Sequence, residues 1–194
     1  MADTINTNEI MQEVIEMLEL LKKRRSIRQF QKKQIARKEI EQLIKAALMS
    51  PSSRNLKPWE FIIVSDPDML QKLSLSKTHG SKFLKDAAAG IVVLADPNKS
   101  DVWIEDAAIA SLILHLTAES LQLGSCWIQI RMRYHDATQT SEQYVRKLLD
   151  IPNYYQVESI IAIGYPAESK LPIAEADLIF SKVHDQKFGT AYHW

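Results

Sequence analysis

Cysteine is almost absent from this chain. Cys126 stands alone among 194 residues, so no disulfide can form within it, and a lone thiol suits a reducing compartment. Glycine is scarce too. The five glycines at 80, 90, 124, 164 and 189 never take the spacing of a dinucleotide fingerprint or a P-loop, which argues against a Rossmann domain and a P-loop NTPase. The five histidines never fall at metal-ligand spacing, and Cys126 has no partner cysteine, so a zinc site is not expected. Neither sign of charge is in excess: 24 Lys plus Arg balance 24 Asp plus Glu, unlike a strongly basic nucleic-acid binder. No apolar run approaches the roughly 20 residues of a bilayer span, and the polar, acid-bearing residues 1–9 lack the build of a signal peptide. Ser52 and Ser53 precede no oxyanion loop, so hydrolase constellations find no support. These absences point to a cytoplasmic protein with neither membrane nor nucleic acid as partner.

Three arginines in five residues, Arg24-Arg25-Ser26-Ile27-Arg28, are the strongest positive feature. The planar guanidinium fork binds anionic oxygens in pairs, so such a cluster can clamp a phosphate; the plain alternative is a solvated helix end favoured by the helix dipole. The cluster sits in a basic stretch, residues 22–38, that contains no acid. Charge balance overall with a local cationic patch suits a small anionic ligand. Binding of nucleic acid through this stretch is a poor fit, because only Phe30 offers a base-stacking ring.

A hydrophobic fraction of 46% over this length supports one domain spanning 1–194, with residues 1–8 as a loose leader. Helical spacing of Ile10, Val14, Met17, Leu18 and Leu21 predicts a helix over 9–24, and Ile40, Leu43, Ile44 and Ala47 predict another over 38–49, stopped by Pro51. Strands are expected at 59–64, 90–95, 125–130 and 157–164. A short helix is expected after Asp66-Pro67, another over 141–149, and a helical stretch near 181–188. The longest candidate, 101–123, is apolar nearly all round from 107 to 116, the pattern of a buried helix, with Gly124 as its expected cap. Helices and strands mix without regular βα alternation, which gives an α+β fold rather than a doubly wound sheet. His115 within the apolar helix reads as a hydrogen-bonded buried histidine. Cys126, with no charge evident nearby in sequence, reads as an inert buried thiol.

Four segments combine: the arginine pentad, Pro51-Ser52-Ser53-Arg54-Asn55-Leu56-Lys57-Pro58-Trp59, Gly124-Ser125-Cys126-Trp127-Ile128, and Gly164-Tyr165-Pro166-Ala167-Glu168. In this order they resemble the nitroreductase family of FMN-dependent oxidoreductases from about residue 14 onward, and the tail over 181–188 is similar to a short-chain branch of that family. The resemblance implies an α+β sandwich around a mainly antiparallel sheet, working as an intertwined homodimer with FMN in clefts at the subunit interface. It implies that Arg24, Ser26 and Arg28 hold the flavin phosphate and ribityl chain, with Arg25 adding contacts and Lys170 completing the phosphate site. Pro51, Ser52, Ser53 and Asn55 match a loop that borders the flavin ring, usually from the partner subunit. Gln129 and Ile130 match a position where backbone N–H groups approach flavin N5 and O4. The chain departs from the family pattern at Lys57, where glutamine is frequent, and at Gln129-Ile130, where glycines are common.

The implied activity is a ping-pong transfer of hydride from NADH or NADPH through FMN to a small organic acceptor such as a nitroaromatic or quinone. No side chain is needed as acid or base, so no catalytic residue is assigned. A flavin-binding redox sensor or carrier without turnover is the alternative that the same residues serve.

Overall fold

The structure is a computed structural model that describes residues 7–193, with side chains from Met11 onward. Most of the expected leader thus lies outside the described residues, and Thr7 and Asn8 already belong to the first helix. The elements are α1 (Thr7–Lys23), α2 (Arg37–Leu48), β1 (Trp59–Val64), α3 (Pro67–Leu73), β2 (Ala89–Ala95), α4 (Trp103–Ser120), β3 (Gly124–Gln129), α5 (Ser141–Leu148) and β4 (Gln156–Gly164), joined by short 3-10 turns. Chain contacts define two units. One spans Arg24–Lys170; the other joins the N-terminal segment through Lys23 to the C-terminal segment from Leu171.

In the larger unit four strands form one sheet in the order β1-β2-β4-β3, each neighbour antiparallel. The two central strands are the most apolar. Every residue of β2 is buried and so is nearly every residue of β4, because helices cover both faces. On one face Ile91, Val93, Ile161 and Ile163 pack with Leu43 and Ala47 of α2 and Ala107, Leu114 and Ala118 of α4. On the other, Val92, Ile128, Ile160 and Ala162 pack with Leu70 and Leu73 of α3, Val145 of α5, and Ile27 and Phe30. This is the expected α+β sandwich with an antiparallel sheet.

Local chemistry explains the boundaries. Asp66 caps α3 by accepting from the Met69 amide at 2.8 Å, with Pro67 at the first helical position. Thr140 and Gln143 close a capping box on α5. The expected cap of α4 is corrected. Gln122, not Gly124, takes the left-handed position with φ 58°, and the Leu123 amide returns to Ala118 O at 2.8 Å. Gly124 is instead the first residue of β3, and its lack of a side chain serves another purpose, described below.

In the smaller unit the Ile173 amide donates to Lys22 O at 3.0 Å, tying the tail to the end of α1. The expected helical stretch over 181–188 is absent. Two 3-10 turns, Glu175–Asp177 and Phe180–Lys182, are followed by a bridge between His184 and Ala191. Val183, His184 and Asp185 are weak helix formers, and the Asp185 amide closes a turn onto Thr190 O at 2.9 Å instead. Among the described residues no helix is long and apolar enough to cross a membrane.

Candidate functional site

Segment 24–31 lies along the outer edge of β3 and continues past the end of β4. Ser26 bridges to Ser125, Ile27 N–H donates to Ser125 O at 2.9 Å, Phe30 bridges to Pro166, and Gln31 N–H donates to Tyr165 O at 2.9 Å. Two glycines make the close approach possible. Gly124 and Gly164 face each other in the β3–β4 ladder. A Cβ at Gly124 would stand 2.8 Å from Ile27 Cγ2, and one at Gly164 would stand 2.8 Å from Phe30 Cδ1. Both distances are far inside van der Waals contact. The arginine segment and the two glycine-bearing segments are thus parts of one packing unit.

That unit gathers cations. Arg24, Arg25 and Ser26 are half-buried, and Arg28 is exposed with its guanidinium 5.8 Å above the Phe83 ring. Lys170 Nζ donates to Ser26 O at 2.6 Å and stands 3.7 Å from Glu168 Oε2. Glu168 Oε1 accepts from the backbone amides of Arg28 and Gln29. The Arg28 amide, followed by that of Gln29 and by Lys170, holds the Glu168 carboxyl below the usual carboxylate range against a pull from burial in the other direction. Among the described residues neither Arg24 nor Arg28 is ion-paired. Backbone carbonyl and amide contacts fix the loop without using the guanidinium groups of Arg24 and Arg28.

On the α4 side of the same edge, His115 is buried and its Nδ1 lies 2.7 Å from Ser125 Oγ. Burial, helped by the charge of Arg24, pushes its pKa down to about 4, so it is neutral near pH 7. On the opposite side Cys126 has charged neighbours that its sequence context hides. Burial raises the thiol pKa, while Arg28, the Ser26 hydroxyl and Lys170 pull it the other way. Burial outweighs them, and the buried thiol titrates above its ordinary value.

Further along β3 the two expected backbone donors part company. In an antiparallel ladder successive amides point alternately to the partner strand and away from it. The Ile130 amide is committed to Glu158 O at 3.0 Å, and Ile130 is fully buried. The expectation of a free backbone donor at Ile130 is therefore corrected, because the ladder consumes it. The Gln129 amide points to the outer edge, the one on which Ser125 O receives Ile27. The Gln129 side chain is pinned behind that edge: Oε1 accepts from Trp127 Nε1 at 2.8 Å, and Nε2 donates to Glu158 Oε1 at 2.9 Å. Burial raises the Glu158 pKa, opposed by the Gln129 hydrogen bond and Arg131.

The polar loop is anchored on α4. Ser53 N–H donates to Asp106 Oδ1 at 2.8 Å, Ser100 Oγ donates to Asp106 Oδ2 at 2.9 Å, and Arg54 pairs with Asp101. Ser52 Oγ accepts from the Lys57 amide at 2.9 Å. Arg54, Asn55 and Lys57 all have positive φ, which is costly for non-glycine residues and persists only where surrounding bonds hold it. Pro51, Asn55 and Lys57 are exposed, while Ser52 and Ser53 are half-buried. Sequence reading missed Asp106, Glu158 and Glu168 as organisers, since each acts on residues far away along the chain. The one available signal was an acid within a strongly apolar or motif segment.

Fold and site together give an α+β sandwich with a cationic cradle at the edge of an antiparallel sheet. The comparisons agree. The Nitroreductase family profile matches residues 21–79 and 71–165, and the chain belongs to that family. A protein of Archaeoglobus fulgidus, provisionally named NADH dehydrogenase/NAD(P)H nitroreductase, is 37% identical over 179 residues, covering 89% of this chain and 99% of its own. Among solved structures, an FMN-dependent nitroreductase from Clostridium difficile is 45% identical with a TM-score of 0.87, covering 88% of this chain and 99% of that one. A further structure, from Parabacteroides distasonis and provisionally named as the archaeal protein is, is 30% identical with a TM-score of 0.81 and covers 89% of this chain.

Proposed function

We propose that this protein is an FMN-dependent oxidoreductase that carries hydride from NADH or NADPH to a small organic acceptor such as a nitroaromatic or a quinone. The observation that carries this reading is the open edge of β3. At its Ser125 end stand Lys170 and the guanidinium groups of Arg24 and Arg28, neither of them ion-paired among the described residues; four residues away, roughly 13 Å at strand rise, the Gln129 amide faces outward. An anionic head joined by a polyol to a flat ring with hydrogen-bond acceptors suits that spacing and donor set.

FMN bound there would supply the redox chemistry between a reduced nicotinamide and an acceptor that use the cleft in turn. Arg24, Arg28, Ser26 and Lys170 hold the phosphate, with Arg25 beside them, because charge-assisted bonds to phosphate are the strong ones. The Gln129 N–H would serve as the donor for the ring edge. Pro51, Ser52, Ser53 and Asn55, stiffened by Asp106, border the ring of the partner subunit's flavin. The outward Gln129 N–H would favour added negative charge on the ring.

The assembly belonging to this reading is a homodimer, acting in the cytoplasm, with residues 1–194 as one functional domain. Its support is uncovered apolar surface. Ile109 and Leu112 of α4 are exposed, and with half-buried Ile113 and Leu116 they make one helical stripe. Met11, Val14, Ile15 and Leu18 of α1 are also exposed. Apolar surface of this kind marks an interaction face.

Initial rates measured while NADH and a quinone or nitroaromatic are varied together test the cycle. Parallel double-reciprocal lines are expected; intersecting lines would count against donor and acceptor taking turns in one cleft.

A further inference from the structure

A carboxylate among cations weakens an anion site, so Glu168 needs a reason to be there. The four hydrogen-bonding and ionic contacts of its two oxygens and of its neighbour Lys170 give one. Glu168 Oε1 takes two consecutive backbone amides, Arg28 and Gln29, the latter at 3.2 Å. Glu168 Oε2 faces Lys170 Nζ at 3.7 Å, and Lys170 reaches past it to Ser26 O at 2.6 Å. The Ala167 amide donates to Gln29 O at 2.8 Å alongside. Segment 166–170 therefore templates the backbone of 26–30.

We infer that Glu168 is a positioning residue that shapes the phosphate cradle by holding the Arg28 and Gln29 amides, so that selectivity for a phosphate-bearing flavin depends on its oxygen acceptor and not on its charge. The inference rests on the flavin reading above. Its sign is distinctive. Loss of the acceptor loosens the cradle, whereas loss of the charge alone removes a repulsion from the phosphate.

The test is titration of the full chain, freed of co-purified flavin, with FMN and with riboflavin, followed by flavin fluorescence. Glu168→Gln keeps an oxygen for the two amides and is expected to bind FMN at least as tightly as the wild type. Glu168→Ala is expected to bind FMN about tenfold or more weakly, the scale of losing hydrogen bonds to a charged group. Riboflavin, which has no phosphate, is expected to bind all three proteins alike. Amide hydrogen exchange at Arg28 and Gln29 is expected to quicken in Glu168→Ala but not in Glu168→Gln. Equal weakening by both substitutions, or a parallel loss of riboflavin, would overturn the inference while leaving the flavin reading intact. A wild-type chain that binds no FMN would overturn both.

Discussion

A single hydrogen in place of a methyl decides whether the arginine segment can lie on the sheet. Gly124→Ala puts a Cβ 2.8 Å from Ile27, which must shift, and Ile27 is itself buried. Overpacking of this kind costs about 1–3 kcal/mol, so urea unfolding of Gly124→Ala should show that loss together with weaker FMN binding. Unchanged stability would mean that the segment is not held against β3 as described. His115 gives a second prediction at this scale. Its folded pKa of about 4 lies below the ordinary 6.5, so between those values the unfolded chain takes a proton that the folded chain refuses. Its contribution to stability is full above about pH 6.5 and falls as pH drops towards 4, by about 3 kcal/mol in all. Urea unfolding across that window should show this slope in the wild type and its loss in His115→Asn, which can still reach Ser125. An identical slope in the variant would assign the titration elsewhere. The cationic character of residues 24–28 was legible in sequence because it is local. Glu168 was not, since the amides it holds lie about 140 residues earlier in the chain.

Among the elements, α4 does most to organise the site. Its first turn holds the polar loop through Asp106, buried to 2% exposure. Asp106→Ala strands the Ser53 amide and the Ser100 hydroxyl, at a cost of about 1–3 kcal/mol, and it should relax the positive-φ residues Arg54, Asn55 and Lys57. Faster proteolysis within 52–57 is the expected sign, and a loop equally resistant in the variant would argue against the anchor. The outward stripe of the same helix predicts the assembly. Leu112→Asp should shift the protein from dimer to monomer in size-exclusion chromatography with light scattering; a wild type that is already monomeric would remove α4 as an interface. Helix and strand positions were legible where the apolar pattern was strong, as in the helical spacing of α2 and the continuous apolar run of β2. The tail misled because composition suggested a helix where no buried face rewards one. Gly124 misled because a glycine after a helix has two uses, and only the position of Ile27 tells them apart.

At the scale of the whole molecule the fold is an edge held open. Helices cover both faces of the sheet, and segment 24–31 closes the outer edge of β3 only at its Ser125 end, leaving Gln129 facing outward. The order of the segments in the sequence pointed to this arrangement because three of them, 24–28, 124–128 and 164–168, meet at this edge, while Pro51–Trp59 leads into β1 at the opposite edge. The committed amide of Ile130 could not be foreseen, since it depends on strand register, and a one-residue change in register would reverse which amide faces out. The central claim is that this edge holds a flavin that a reduced nicotinamide can reduce. The visible spectrum of the purified protein, recorded before and after anaerobic NADH or NADPH, tests it most directly. The expected result is the absorbance of bound oxidised flavin, bleached by the nicotinamide. Flavin that stays oxidised with both donors would mark a sensor or carrier and contradict the proposed turnover; a colourless protein that takes up no added FMN would contradict the site itself.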